Sequence, residues 1–548
     1  MESIEADYES LRGVLPKGEY QKLDNAMLGE LLRTLDPEEL KKVSGDVFGR
    51  IYEYFLTRFA DQKAHDSGEF FTPISLVSLI AHVLDPERGT VMDPACGSGG
   101  MFVQSARLIE EHGQSPADKL TFRGLEKNAT TIRLAKMNLA VHGLEGDIRK
   151  AITYYEDPQE MLGKADYLMA NPPFNVDEID ADKVKANPRL AFGLPGVNKK
   201  GKVSNGNYIW ISYFWSYLNA RGRAGFVMSS QASSAGRGEK DVRQKLVETG
   251  DADVMIAIRS NFFYTRTVPC ELWFLDRAKP EAHKDKVLML DARNIYRKVT
   301  RKIYDFSPEQ MQNLVAVVWL YHGERARFLG LVRDYLGRVC AESAAVPAAL
   351  EPFVTTLADL HGLFSVISKA ADKQGDLDAG KKKALADTVT ELGKAATGYK
   401  TSAKHLRANL EAFRKTYENA LPQTNAAQHK VRDSFEPNAK AIRDLVKRVD
   451  LAYKQAARAG DLAADLKPEL LPLPPGEGRG EGHYNLRAAK RRLKQLDAER
   501  KAATEQLKRV NHYFHQVIWL QDRFPDAELA DVPGLVKLVD RKAIEAAD

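Results

Sequence analysis

Cysteine is scarce in this chain. Its 548 residues hold three, Cys96, Cys270 and Cys340, too far apart to read as a zinc site or a disulfide framework. Long apolar runs are also missing. The longest, "ISLVSLIAHVL" (74–84), is too short and too punctuated to span a bilayer. The first twenty residues are polar and acidic without an apolar core, so no secretory signal is read and a cytoplasmic setting without membrane contact is expected. Strong charge of one sign is lacking too. The net charge of +5 permits nucleic-acid contact but does not argue for it. With 44% hydrophobic and 28% charged residues the composition is ordinary for a soluble protein, and the length calls for more than one domain.

What is present changes texture along the chain. Residues 1–65 read as a helical segment, with "LGELLRTL" and "VFGRIYEYFLTRF" apolar at helical spacing. Over 66–300, short apolar runs ("TVMD", "LTFRGLE", "ADYLMAN", "AGFVMSS") alternate with helical stretches, the signature of an α/β domain on a mostly parallel sheet. "FSPEQMQNLVAVVWLY" opens a helix with Ser307 as N-cap, Pro308 at N1 and Gln310 at N3, a capping box. Residues 301–470 then read as a helical region. "LPLPPGEGRGEG" (471–482) is a Pro/Gly-rich linker or insertion. In 483–548 an apolar heptad runs from Leu486 to Val510, interrupted by Arg500. It suits a coiled-coil arm or an amphipathic helix packed on its own domain.

"TVMDPACGSGGMFVQSARLIEE" is a strand, a glycine loop and a helix. The strand ends at Asp93. Gly97, Ser98, Gly99 and Gly100 let the backbone turn tightly beside a ligand, and the helix start faces the same spot. The next strand ends in Glu126, where an acid accepts ribose hydroxyls. The glycine order is wrong for a dinucleotide. Met101 stands where a phosphate loop needs lysine. A nucleoside without a phosphate cradle, such as S-adenosylmethionine, fits best. "GVNKKGKV" (196–203) imitates a phosphate loop up to its lysine, but Val203 replaces the hydroxyl, and a mobile basic loop is expected there. In "GEFFTPISLV", Thr72 is read as an N-cap and Pro73 as N1. Glu69, Phe70 and Phe71 then serve as a hydrophobic staple with surface charge, or close over a cofactor.

"MANPPFN" (169–175) follows an apolar strand. An amino group conjugated to an aromatic base is a poor nucleophile. Two acceptors near its hydrogens favour a tetrahedral nitrogen, and the Asn171 side-chain oxygen with the Pro172 carbonyl can supply them. Pro172 and Pro173 aim that carbonyl, and Phe174 can stack on a base flipped out of a duplex. The plainer reading is a proline strand stop with Phe174 in the core.

"GEFFTP", "DPACGSGGMF", "GLEKN" and "ANPPF", in this order, resemble the amino-methyltransferases of DNA. Within them the chain is similar to the methylation subunit of type I restriction-modification systems, over roughly residues 10 to 335. The resemblance implies an S-adenosylmethionine-dependent, Rossmann-like methyltransferase domain between an N-terminal helical segment and a C-terminal helical or coiled-coil region. It implies methylation of adenine at N6 in DNA, with Asn171, Pro172, Pro173 and Phe174 as the catalytic tetrad. Glu69 to Ile74 would line the cofactor site, Asp93 to Gly100 surround the methionine end, Glu126 hold the ribose and Asp147 lie beside the adenine ring. No metal is implied. The implied partners are DNA, a specificity subunit bound through the arm after Gly482, and a second methylation subunit in a complex of two with one specificity subunit. A restriction subunit is a further candidate. Family members usually carry a longer helical region before the glycine loop, so a truncated or short variant, with its activity in question, is also expected.

Three rivals stand beside this. A cytosine-C5 enzyme would use a Pro-Cys nucleophile, for which Cys270 after Pro269 and Cys96 are candidates. Protein-glutamine and RNA amino-methyltransferases also use Asn-Pro-Pro. A catalytically impaired assembly subunit would keep the fold alone.

Overall fold

The computed structural model describes residues 2–35, 51–52, 54–55, 72–263, 268–301, 303–466 and 482–547. Two compact units divide the chain: Met1–Tyr321 with Ala530–Asp548, and His322–Leu529.

The first unit is built on a nine-stranded sheet. Its strands are β1 (Gly89–Asp93), β2 (Leu120–Glu126), β3 (Gly146–Lys150), β4 (Ala165–Ala170), β5 (Leu218–Ser229), β6 (Ala252–Ile258), β7 (Cys270–Asp276), β8 (Lys286–Asp291) and β9 (Val536–Asp540). They lie in the order β9-β8-β6-β7-β5-β4-β1-β2-β3. Strands β1 to β5 pair in parallel, as do β6 and β8. β7 runs antiparallel between β5 and β6, and β9 antiparallel on β8. The central strands are apolar on both faces because helices cover both. Val91, Met92, Leu168, Met169 and Ala170 are fully buried.

The helices around the sheet are α1 (Ile74–Leu84), α2 (Gly100–Glu111), α3 (Ala129–Val141), α4 (Asn207–Tyr217), α5 (Gly238–Glu248) and α6 (Pro308–Tyr321). α1 packs on β5, and only glycine fits there: a Cβ on Gly225 would meet Ile80 and Phe274, each at 2.8 Å. α4 is buried all round, and its polar ring atoms find partners as they must. Tyr208 Oη donates to the Ala232 carbonyl at 2.6 Å, Trp210 Nε1 to Tyr154 Oη at 2.6 Å, and Tyr213 Oη to the Tyr154 carbonyl at 2.8 Å. The expected capping box closes α6. Ser307 N donates to Gln310 Oε1 at 2.9 Å, and Gln310 N to Ser307 Oγ at 3.2 Å.

The start of α1 differs from expectation. Pro73, not Thr72, is the N-cap residue, and its carbonyl accepts the Leu76 amide at 3.0 Å. Thr72 Oγ1 is engaged elsewhere, as described below. "GVNKKGKV" is a closed turn: Asn198 N donates to the Lys202 carbonyl at 2.8 Å, and Lys202 pairs with Asp180 at 3.0 Å.

The second unit holds four long helices, α7 (Arg325–Asp372), α8 (Ala379–Tyr417), α9 (Asn425–Asp465) and α10 (Gly482–Arg523). α10 packs on α7 and α9, and its heptad residues Ala489, Leu496, Ala503, Leu507 and Val510 are buried against them. Of the two readings of that heptad, the helix packed on its own domain is the one found. Arg500 fits the apolar seam because its charge is matched. Its guanidinium lies 4.8 Å from the Tyr453 ring and pairs with Asp450 at 2.9 Å and Asp497 at 2.8 Å. The chain then leaves this unit. β9 and α11 (Arg541–Ala547) belong to the first unit. The segment expected as one helical arm over 483–548 thus includes a sheet strand, which pairs with the backbone N–H and C=O groups that β8 would otherwise leave open along its edge. Most of the helical reading over "VFGRIYEYFLTRF" and nearly all of the 471–482 segment lie outside the described residues.

Candidate functional site

The strand order reverses between β1 and β4, which opens a crevice outside their carboxyl ends. Register brings the candidate residues to that edge. Asp93 pairs with Gly124, so Glu126 lies two residues further along β2. Met92 pairs with Leu168, so Asp93 is level with Met169 and Asn171 again lies two residues beyond. The acid pair and the Asn-Pro-Pro-Phe turn therefore share one edge.

The glycine loop is tied down from three sides. The Cys96 amide donates to the Leu125 carbonyl at 3.0 Å, Asn138 Nδ2 to the Ser98 carbonyl at 2.9 Å, and Thr153 Oγ1 to the Pro94 carbonyl at 2.6 Å. Gly97 and Gly99 have φ of 50° and 78°, left-handed values that glycine takes without strain, and α2 starts at Gly100. Sequence reasoning missed Asn138 and Thr153. A buried amide in the otherwise apolar "MNLAV" run was the available signal for Asn138.

Asp93 is 2% exposed and accepts from the Ala95 amide at 3.0 Å. Burial, with the Glu126 charge adding to it, pushes its carboxyl pKa up to about 8. Glu126 is half-buried and accepts from the Asn128 amide at 2.8 Å. Asp147 lies on β3, and its carboxylate meets Arg123 at 2.5 Å and Arg149 at 2.9 Å. Partial burial works against ionisation there, but the arginine pairing outweighs it and holds the carboxyl below its usual range.

Asn171 is half-buried. Its Nδ2 donates to Thr72 Oγ1 at 2.8 Å. Its Oδ1 is buried with no hydrogen-bond partner among the described residues. A buried acceptor without a donor costs about 1–3 kcal/mol, which a ligand's N–H can recover. Pro172 is buried, Pro173 exposed and Phe174 half-buried, its ring edge-on to Phe263 at 6.3 Å. Asn175, at φ 55°, closes the turn. Its amide donates to Asn207 Oδ1 at 2.9 Å, and Asn207 Nδ2 returns a bond to Asn175 Oδ1 at 2.8 Å. Asn207, 1% exposed at the start of α4, is a further residue that the sequence did not single out. Thr72, Pro73 and Ile74 lead into α1 at this edge. Glu69, Phe70 and Phe71 lie outside the described residues.

The rival cysteines are poorly placed for attack. Cys270 is 1% exposed and pairs with Ser229 across the β5–β7 ladder. Burial pushes both its thiol and that of Cys96 far up, which leaves no thiolate near neutrality. An apolar cavity of about 310 Å³, lined by residues that include Leu246, Met255, Trp273 and Ile544, holds none of the candidate site residues. Among the described residues no His, Cys, Asp and Glu group could hold a metal ion, and no helix is long and apolar enough to cross a membrane.

A mostly parallel sheet with two reversed strands, a glycine loop between two acids and Asn-Pro-Pro-Phe at the switch point define a Rossmann-like methyltransferase domain. The chain belongs to the N-6 DNA methylase family, whose model matches residues 43–332. It is 38% identical to the methylase subunit of type I restriction enzyme MjaIX from Methanocaldococcus jannaschii, over 58% of this chain and 57% of that one. It is 34% identical to the HindI methylase subunit from Haemophilus influenzae, over 57% of this chain and 71% of that one. The chain thus aligns with a little over half the length of the first relative. A type I methyltransferase subunit from Streptococcus thermophilus superimposes with a TM-score of 0.44 at 22% identity, over 51% of this chain and 60% of that chain.

Proposed function

We propose that this chain is the methylation subunit of a type I restriction-modification system and methylates the N6 amino group of adenine in DNA. One observation carries the reading: Asn171 Oδ1, buried and without a partner among the described residues, lies beside a proline-fixed turn at the switch point. S-adenosylmethionine would supply an electrophilic methyl group. Asp93, the loop from Gly97 to Gly100, Glu126 and Glu69 to Ile74 would hold it, with Asp147 beside its adenine ring. The donor set fits, since two acids suit hydroxyls and an ammonium and there is no phosphate cradle.

Asn171 Oδ1 and the Pro172 carbonyl accept the two amino hydrogens and draw the nitrogen lone pair out of ring conjugation. With the cofactor bound, its methyl group would pass to the amino nitrogen, the S–C bonding pair would stay on sulfur, and the proton released from the amino group would pass to solvent. Thr72 keeps the Asn171 amide turned so that its oxygen faces the base. Phe174 offers a stacking face to a base flipped from the duplex. DNA sequence would be read by a specificity subunit, with a second methylation subunit and a restriction subunit as further partners in the cytoplasm.

The test supplies labelled S-adenosylmethionine and genomic DNA, with and without the neighbouring specificity subunit. Label in N6-methyladenine that vanishes in Asn171→Ala supports the reading. Label in cytosine or in protein, or cofactor binding with no transfer beside the specificity subunit, overturns it.

A further inference from the structure

A second feature stands on the same edge of the sheet. Past the carboxyl end of β8 the chain forms a two-stranded hairpin, Arg297–Lys298 against Tyr304–Asp305. β6 and β8 run parallel to β4 and β5 through the reversed β7, so the hairpin leaves from the edge that carries Asn171.

Its base is fixed by aromatic packing. Arg259, the residue after β6, lies 4.0 Å from the Tyr296 ring and 4.5 Å from the Tyr304 ring. Phe262 packs on Phe306 at 4.6 Å, and the Tyr304 amide donates to the Asn261 carbonyl at 3.0 Å. The next residue, Phe263, is the ring that meets Phe174 edge-on. One short loop, 259–263, thus joins the hairpin to the candidate catalytic turn.

The exposed end of the hairpin is basic. Arg293 and Arg297 are neutralised by Asp291 at 2.6 Å and Asp305 at 3.1 Å. Lys298 and Arg301 are exposed, with Val299 54% exposed between them. A solvated surface loop has no need of an arginine held between two tyrosines at its root. An exposed pair of cations on a hairpin whose root packs through one loop to the candidate catalytic turn suits a polyanion that must be held in register there.

We propose that the 297–305 hairpin is a DNA-backbone clamp in which Lys298 and Arg301 contact phosphates next to the flipped adenine. The proposal rests on the functional reading above. Backbone contacts of this kind position the duplex and carry no sequence information, which leaves recognition to another chain.

The experiment measures binding of the full chain to a labelled duplex by fluorescence anisotropy, from about 50 to about 200 mM salt. Wild type is compared with Lys298→Ala/Arg301→Ala and with Lys415→Ala/Lys447→Ala, two exposed cations of the helical unit. The hairpin variant is expected to bind about tenfold more weakly at low salt and to lower the log–log salt slope by about two. The helical-unit variant is expected to match wild type. Equal slopes for wild type and the hairpin variant overturn the proposal. So does an equal loss in the helical-unit variant, or no duplex binding by wild type. Both variants change exposed side chains, and unchanged S-adenosylmethionine binding by calorimetry shows that the fold is kept. If wild type methylates adenine while the hairpin variant keeps its slope, only the clamp falls. If wild type transfers no methyl group to adenine, the functional reading falls, and a reduced slope would still place DNA on the hairpin.

Discussion

Asn171 is set by one hydroxyl, and Asp93 by its burial. Thr72 Oγ1 takes the Asn171 Nδ2 hydrogen and leaves Oδ1 without a partner among the described residues. Asn171→Ala should lower methyl transfer by about 10²- to 10³-fold, the usual cost of removing one preorganised polar partner of a transition state, with S-adenosylmethionine affinity nearly unchanged by calorimetry. Thr72→Val frees the amide to rotate, so single-turnover rates should fall less than in Asn171→Ala. Asp93 makes a separate prediction. Its folded-state pKa of about 8 lies above the ordinary carboxyl value of 3.8, so the folded chain binds the extra proton between them. Its contribution to stability is fully present below the unfolded value and is lost as pH rises through about 8. Relative to wild type, Asp93→Asn should therefore raise the thermal midpoint of ligand-free protein more at mildly alkaline than at acid pH.

At the scale of elements, the capping box of α6 was legible because every bond in it is local. Ser307, Pro308 and Gln310 lie within one helical turn, and no distant group competes for them. Ser307→Ala should cost about 1 kcal/mol, read from the denaturant midpoint of the sheet unit. Thr72 shows the opposite case. Its position before Pro73 reads as a cap, yet its hydroxyl is taken by a residue 99 positions away. Local sequence cannot report a partner that only the sheet brings near. The heptad of α10 likewise marks which face is buried without saying against what.

At the scale of the molecule, the chain returns to its sheet after the helical unit. Truncation before Ala530 removes β9 and strips the edge of β8. Losing the buried Leu535 and Val536 alone should cost on the order of 3 kcal/mol. The truncated protein should melt earlier and aggregate in light scattering, whereas Asp540→Asn, which keeps the strand, should not. A truncated form as stable and monodisperse as the full chain would show that β9 is dispensable.

The sequence by itself determined what depends on neighbours along the chain: alternating strands and helices, the glycine loop, the capping box and the Asn-Pro-Pro-Phe turn after its strand. Those features follow from backbone limits and apolar period, which act over a few residues. Tertiary structure alone decided that β7 runs backwards, that β9 completes the sheet and that α10 packs within its own unit. It also decided that Asp93, Glu126 and Asn171 share one edge while Asp147 is held by two arginines. These outcomes depend on which surfaces meet, and burial, register and desolvation exist only once they have met.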